Sequence, residues 1–183
     1  APEAMPDDIR NQWRTSMDVR GDATFFEVAA NNPDLLRWYV QKFYGEAFYS
    51  DRTPVSVKEI VRLRLSTIHG CRFCNQGNRR AALAAGLTED QIDGLESGEL
   101  SAFSPAEQAA IRLADEIALT NGAGRLTPQL YAELSAHYDD GQIFELGLIA
   151  GVLAGTAKFL FAFDLVEREE TCPFPPANSA RSG

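Results

Sequence analysis

The sequence predicts a single all-α domain on three grounds. Helix start and stop signals divide the 183 residues almost without remainder. Apolar residues recur at the helical period, as in Ala110, Ile111, Leu113, Ala114, Ile117 and Ala118. No run alternates with the two-residue period of a strand.

Asn32-Pro33 opens a helix that runs to about Tyr49, with proline in the first turn, where its missing N–H leaves nothing unpaired. Ser56-x-x-Glu59 has the form of a capping box and starts a helix from Val57 to about Ile68, which Gly70 breaks. The next helix carries Cys71 and Cys74 and ends at Ala85 with Gly86 as its cap, so the two cysteines ride on a helical hairpin. Thr88-x-x-Gln91 opens a short helix, and Ser104-Pro105-x-Glu107 another that stops at Asn121-Gly122. Thr127-Pro128 begins one that reaches about Tyr138.

A long apolar helix follows, from about Gln142 to Val166, with Gly147, Gly151 and Gly155 at every fourth position. Such a smooth face lets another helix approach closely, in the core or across a symmetric contact. Leu146 to Phe163 is interrupted only by Lys158 and is long enough to cross a bilayer. Glu145, Lys158 and Asp164 break or bracket it and no topology-setting loops accompany it, which favours a buried or subunit-contact helix.

With 45% hydrophobic and 23% charged residues, the chain can bury one ordinary core. The domain is placed at residues 21–168, between an N-terminal extension over 1–20 and a proline-rich tail over 169–183 that is extended or mobile. Ala1 stands where an initiator methionine would, so the N-terminus is expected to be processed or trimmed. The net charge of -9 opposes binding to nucleic acid or to an anionic membrane. Residues 58–80 are the exception, with six basic residues against Glu59 alone. Most of these cations read as solvated helix faces, yet a guanidinium near the cysteines would favour a thiolate or an anionic ligand. Three cysteines are too few, and odd in number, for a disulfide-stapled secreted framework; a reducing, cytoplasmic setting is expected, with no role for Cys172.

Cys71-Arg72-Phe73-Cys74 is a dithiol whose spacing lets the sulfurs join and part, beside a helix N-terminus whose partial positive charge favours thiolate. The run Lys58 to Ser66, followed by Gly70-Cys71-Arg72-Phe73-Cys74, resembles the core signature of the alkylhydroperoxidase / carboxymuconolactone decarboxylase (AhpD-like) family. Phe103-Ser-Pro-Ala-Glu-Gln-Ala-Ala and Glu145-Leu-Gly-Leu-Ile are similar to its later helices, so about Phe25 to Val166 is covered. The resemblance implies an AhpD-like helical bundle, a homo-oligomer, and thiol peroxidase or disulfide reductase activity. It further implies Glu59, Cys71 and Cys74 as functional residues: Cys74 attacks a peroxide or disulfide, Cys71 resolves, and Glu59 assists as base. No cofactor is implied; a lipoyl-bearing or thioredoxin-like thiol would restore the dithiol.

Two departures matter. The family places histidines between the cysteines and four residues after the second, where this chain has Phe73 and Asn78. Neither carries a proton at neutral pH, so surviving peroxide chemistry needs a water route from Glu59, or a thiolate stabilised by the helix end and arginines. Phe73 would also dry the pocket and Arg72 could face it. His69 is a substitute base only if Gly70 bends the chain; Asn78 more simply bonds a neighbouring element, and Glu59 can equally be a capping residue. Two alternatives stand beside the oxidoreductase: a decarboxylase, isomerase or lyase holding an anionic small molecule in the cationic pocket, and a silent oligomeric scaffold with the cysteines as packing. Metal binding finds no support, since no second Cys/His pair lies at useful spacing.

Overall fold

The computed structural model describes residues 2–176, and within them nine α-helices and no strand. They are α1 (Asp7–Arg20), α2 (Thr24–Ala29), α3 (Pro33–Trp38), α4 (Val55–His69), α5 (Arg72–Ala84), α6 (Glu89–Ser97), α7 (Pro105–Ile117), α8 (Pro128–Ser135) and α9 (Asp140–Ala162). Ala1 and residues 177–183 of the tail lie outside the described residues.

α4 is the axle. Val57, Val61 and Leu65 pack into a cluster with α7, α8 and α9, while Ile60 and Leu63 on its other side join Ala82, Ile92, Leu95 and Ile111. Burying these five side chains contributes on the order of 10 kcal/mol before chain entropy is counted. Ten of its fifteen residues are buried, Lys58, Glu59 and Arg62 among them. A helix enclosed on all sides cannot keep a polar face for water, so its charges must find partners inside.

The capping boxes expected at Thr88–Gln91 and Ser104–Glu107 form as such. The one expected at Ser56–Glu59 does not. Pro54, in extended conformation, is the N-cap and the helix begins at Val55, which puts Ser56 inside the first turn. Glu59 is thereby released from capping. The helix opened by Pro33 does reach Phe48, but from Tyr39 onward it is π-helical. Ring pairs Tyr39–Tyr44, Phe43–Phe48 and Tyr44–Tyr49 lie at i, i+5, the spacing a π-helix brings into register. α7 ends at Ile117, short of Asn121-Gly122, because Ala118 turns extended and hands the next amide to a side chain of α4.

α9 turns Ile143, Leu146, Ile149, Ala150, Ala154 and Leu160 inward. Gly147, Gly151 and Gly155 are not in the core: a Cβ on any of them would meet nothing within 4 Å. Phe144, Leu148 and Phe159 are exposed on the same helix. α9 is long and apolar enough to cross a membrane by length and composition, and 44% of that window is buried inside the protein.

Glu145 of α9 fastens this helix to α4. It receives hydrogen bonds from Ser50 (2.6 Å) and Thr53 (2.7 Å), and Lys58 Nζ lies 3.2 Å away with Arg52 at 3.0 Å. Burial alone would raise its pKa, but the bonds from Ser50, Thr53 and Lys58 outweigh that and hold it below the usual carboxylate value. Glu145→Ala should therefore strand the buried Lys58 ammonium and cost about 3–5 kcal/mol in urea unfolding, whereas Lys58→Met combined with Glu145→Leu should cost far less than the two single changes added.

Candidate dithiol site

The site is built at the corner between α4 and α5. Gly70 takes φ 62° and ψ 38°, a left-handed conformation that stops α4. Gly70 N–H donates to Thr67 O and Cys71 N–H to Ser66 O, closing a Schellman motif. Cys71 is at once the last residue of that motif and the N-cap of α5: its Sγ accepts Cys74 N–H at 3.2 Å. Cys71 and Cys74 are joined in a disulfide with Cα atoms 5.2 Å apart. Cys71 is fully buried and Cys74 partly exposed.

The bend brings the cysteines to the cavity that His69, the last residue of α4, also lines, a hollow of about 230 Å³. Its Nε2 accepts Leu119 N–H at 3.0 Å, so the ring proton sits on Nδ1, which is buried with no partner among the described residues. Burial pushes the His69 pKa down to about 4. A neutral ring with its lone pair engaged cannot serve as the substitute base, but Nδ1–H can donate a hydrogen bond.

Phe73 and Asn78 line the cavity. Asn78 Nδ2 donates to Ser66 Oγ at 3.0 Å, and Ser66 in turn donates to Leu63 O, so the amide ties α5 to α4. Glu59 and Arg72 are not on the wall. Glu59 lies behind Arg62, whose Nη2 is 2.5 Å from Glu59 Oε2. Burial raises the Glu59 pKa, against the pull of Arg62 and a hydrogen bond from Tyr49. Arg72 faces out and pairs at 3.8 Å with Glu167.

The cationic stretch is mostly neutralised. Lys58 pairs with Glu145, Arg64 with Asp115 at 2.7 Å, and Arg79 with Glu89, Asp93 and Glu96. Of its members only Arg62 reaches the cavity, over the rings of Phe48 (4.8 Å) and Tyr44 (5.6 Å). The other cation there is Arg20, the last residue of α1. It was not singled out in the sequence; the available signal was Gly77, three residues after Cys74, which leaves room for a side chain from elsewhere. Aromatic Phe25, Phe26, Tyr39 and Tyr44 complete much of the wall.

Tail residues up to Pro176 lie across the corner. Glu169 N–H bonds Gly70 O at 2.9 Å, Phe73 N–H bonds Glu167 O at 3.3 Å, and Cys172 Sγ donates to His69 O at 3.1 Å. A Cβ on Gly70 would fall 2.6 Å from Cys172 Cα. Among the described residues, no cluster of three or more His, Cys, Asp or Glu side chains could hold a metal ion.

Residues 33–116 match the model of the carboxymuconolactone decarboxylase family. An uncharacterized protein of Bacillus subtilis, YdfG, is 34% identical over 127 residues, 69% of this chain and 82% of that protein. Among solved structures, an uncharacterized peroxidase-related protein of Ralstonia eutropha, described as an alkylhydroperoxidase AhpD core, superposes with TM-score 0.72. It is 16% identical and covers 93% of this chain and 90% of its own. The debrominase Bmp8 in complex with 2,3,4-tribromopyrrole gives 0.69 at 18% identity, over 90% and 87% of the two chains. At these identities the structures show a shared fold.

The depressed His69 pKa sets a sign for stability. The unfolded chain protonates this ring near pH 6.5 and the folded one resists until about pH 4, so the folded state loses ground as the pH falls through that window. His69→Gln retains an acceptor for Leu119 N–H without a titrating group. Wild type should lose about 3 kcal/mol more than this variant across the window in urea titrations, and equal losses would mean His69 is not held neutral.

Proposed function

The chain belongs to the carboxymuconolactone decarboxylase family, and from that membership we propose that it is a thiol-dependent oxidoreductase, reducing a peroxide or a disulfide through a Cys71–Cys74 dithiol cycle. The observation that carries this reading is the bonded pair itself, one sulfur buried and the other partly exposed, on the wall of a cavity.

In the reduced protein Cys74, at the third position of α5, has the helix N-terminus behind it and guanidinium groups on the cavity wall. Both favour its thiolate. Phe73 and Asn78 cannot carry a proton from Cys74 toward Glu59, and Arg62, which is paired with that carboxylate, does not give up its own. Ionisation by environment replaces the relay, and Glu59 anchors Arg62. The Cys74 thiolate attacks the outer oxygen of ROOH, the O–O bond breaks, and RO⁻ leaves to take a proton, with His69 Nδ1–H as a hydrogen-bond donor. Cys71 then attacks the Cys74 sulfenic acid, forming the disulfide and releasing water. With a disulfide substrate, Cys74 forms the mixed disulfide and Cys71 resolves it. A lipoyl-like or thioredoxin-like dithiol supplies the two electrons that reopen the bond.

A non-redox lyase or a silent scaffold leaves the Cys71–Cys74 bond without a task. Aromatic lining suits a ring-bearing substrate, the kind of molecule with which the debrominase was captured. For the homo-oligomer, we assign the second copy to the α9 face carrying Phe144, Leu148 and Phe159.

Stoichiometric peroxide added to the reduced protein should lower the free thiol count from three to one. Cys74→Ser should keep both of its remaining thiols. A wild-type count that stays at three would remove the dithiol cycle.

A further inference from the structure

Arg20 comes from outside the segment that matches the family model, yet it sits in the dithiol cavity. Its Nε donates to Phe73 O at 3.2 Å and its guanidinium lies 4.7 Å from the centre of the Phe73 ring. The side chain fills the space left by Gly77 on α5: a Cβ there would stand 2.1 Å from Arg20 Nη2. Among the described residues no carboxylate pairs with it. Asp22, the nearest acidic influence, spends Oδ1 on the N–H and hydroxyl of Thr24. Burial, and then the charge of Arg62, push Arg20 below its ordinary pKa, the mark of a cation short of counter-charge.

The charge balance of the chamber is then simple. Arg62 is offset by Glu59, while Arg20 has no ion-pair partner among the described residues and feels the charge of Asp22 only through space. An otherwise aromatic and apolar wall holds one unmatched positive charge, with Asn78 and the unpartnered Nδ1–H of His69 beside it. We propose that Arg20 is a specificity-determining residue, and that the substrate of this site is a peroxide or disulfide bearing one anionic group, such as a carboxylate, on an apolar body. This rests on the dithiol reading above. The anion pairs with the Arg20 guanidinium, the apolar part occupies the wall of Phe25, Phe26 and Tyr39, and the reducible bond meets Cys74.

Two disulfide probes test this in a Cys172→Ser background, which leaves the two site thiols. Dithiobis(nitrobenzoate) is an anionic aromatic disulfide and dithiodipyridine a neutral one. With either, the Cys74 thiolate attacks one sulfur and expels one thiol product. Cys71 then displaces the second, so two electrons pass to the probe, the Cys71–Cys74 bond closes and the thiol protons go to solvent. Arg20→Gln should slow the anionic probe about tenfold relative to the neutral one, the worth of one charge-assisted hydrogen bond, and Arg20→Lys should recover part of that ratio. Gly77→Ala should reproduce the loss with Arg20 intact, because the new methyl displaces the guanidinium, and should not lower the melting temperature, since alanine suits a helix interior. An unchanged rate ratio in Arg20→Gln, or an equal fall with both probes, would overturn the proposal by showing that Arg20 acts on the thiols or the fold alone. Failure of the unsubstituted site to react with either probe would instead overturn the dithiol reading, and this proposal with it.

Discussion

The corner at Gly70 is the constraint on which the site depends. A positive φ there ends α4, and the absence of a side chain lets the backbone at Cys172 close against it. Three consequences follow from that one residue. The cysteines are brought round to the cavity that His69 lines, Cys71 becomes the N-cap of the next helix, and Cys74 falls at the third position of α5 with its N–H on Cys71 Sγ. Any L side chain at position 70 would strain the turn and strike the tail together.

α4 supplies the other half of the design. Because it is enclosed, its charged residues are matched from several directions, by Glu145 on α9, Asp115 on α7 and Glu59 within its own turn. The basic stretch around the cysteines is therefore not a basic surface. Lys58, Arg64 and Arg79 spend their charge on holding helices together, and the cavity retains Arg62, tied to Glu59, and Arg20 from α1. Electrostatics at the dithiol thus come from two guanidiniums and a helix end, rather than from the histidines that the family resemblance would lead one to expect.

Much of this was legible in the sequence. Thr88, Ser104 and Thr127 cap the helices they were expected to open, and the cysteine pair lies at a hairpin corner, because caps and turn residues act locally. Expectations fail where a competing local signal or a tertiary contact overrules the pattern. Ser56–Glu59 fits a capping pattern, but Pro54 starts the helix earlier; α7 stops short because His69 captures Leu119 N–H. Arg72 is adjacent to the cysteines in sequence yet faces Glu167, whereas Arg20 is more than fifty residues from Cys74 and reaches the cavity. The glycine stripe of α9 reads as a packing face, and among the described residues nothing lies within 4 Å of a Cβ built on it. Spacing along a chain says which face of a helix a residue shares, and only the fold says what that face meets.

The most direct test is the order and pH dependence of thiol reactivity. One equivalent of iodoacetamide should be added to the reduced protein across a range of pH, and the modified cysteine identified by peptide mapping. Cys74 should be labelled first, with a midpoint below the ordinary thiol value of about 8.5. Labelling of Cys71 or Cys172 ahead of it, or a Cys74 midpoint at or above that value, would contradict a thiolate prepared by the helix end and the cavity arginines.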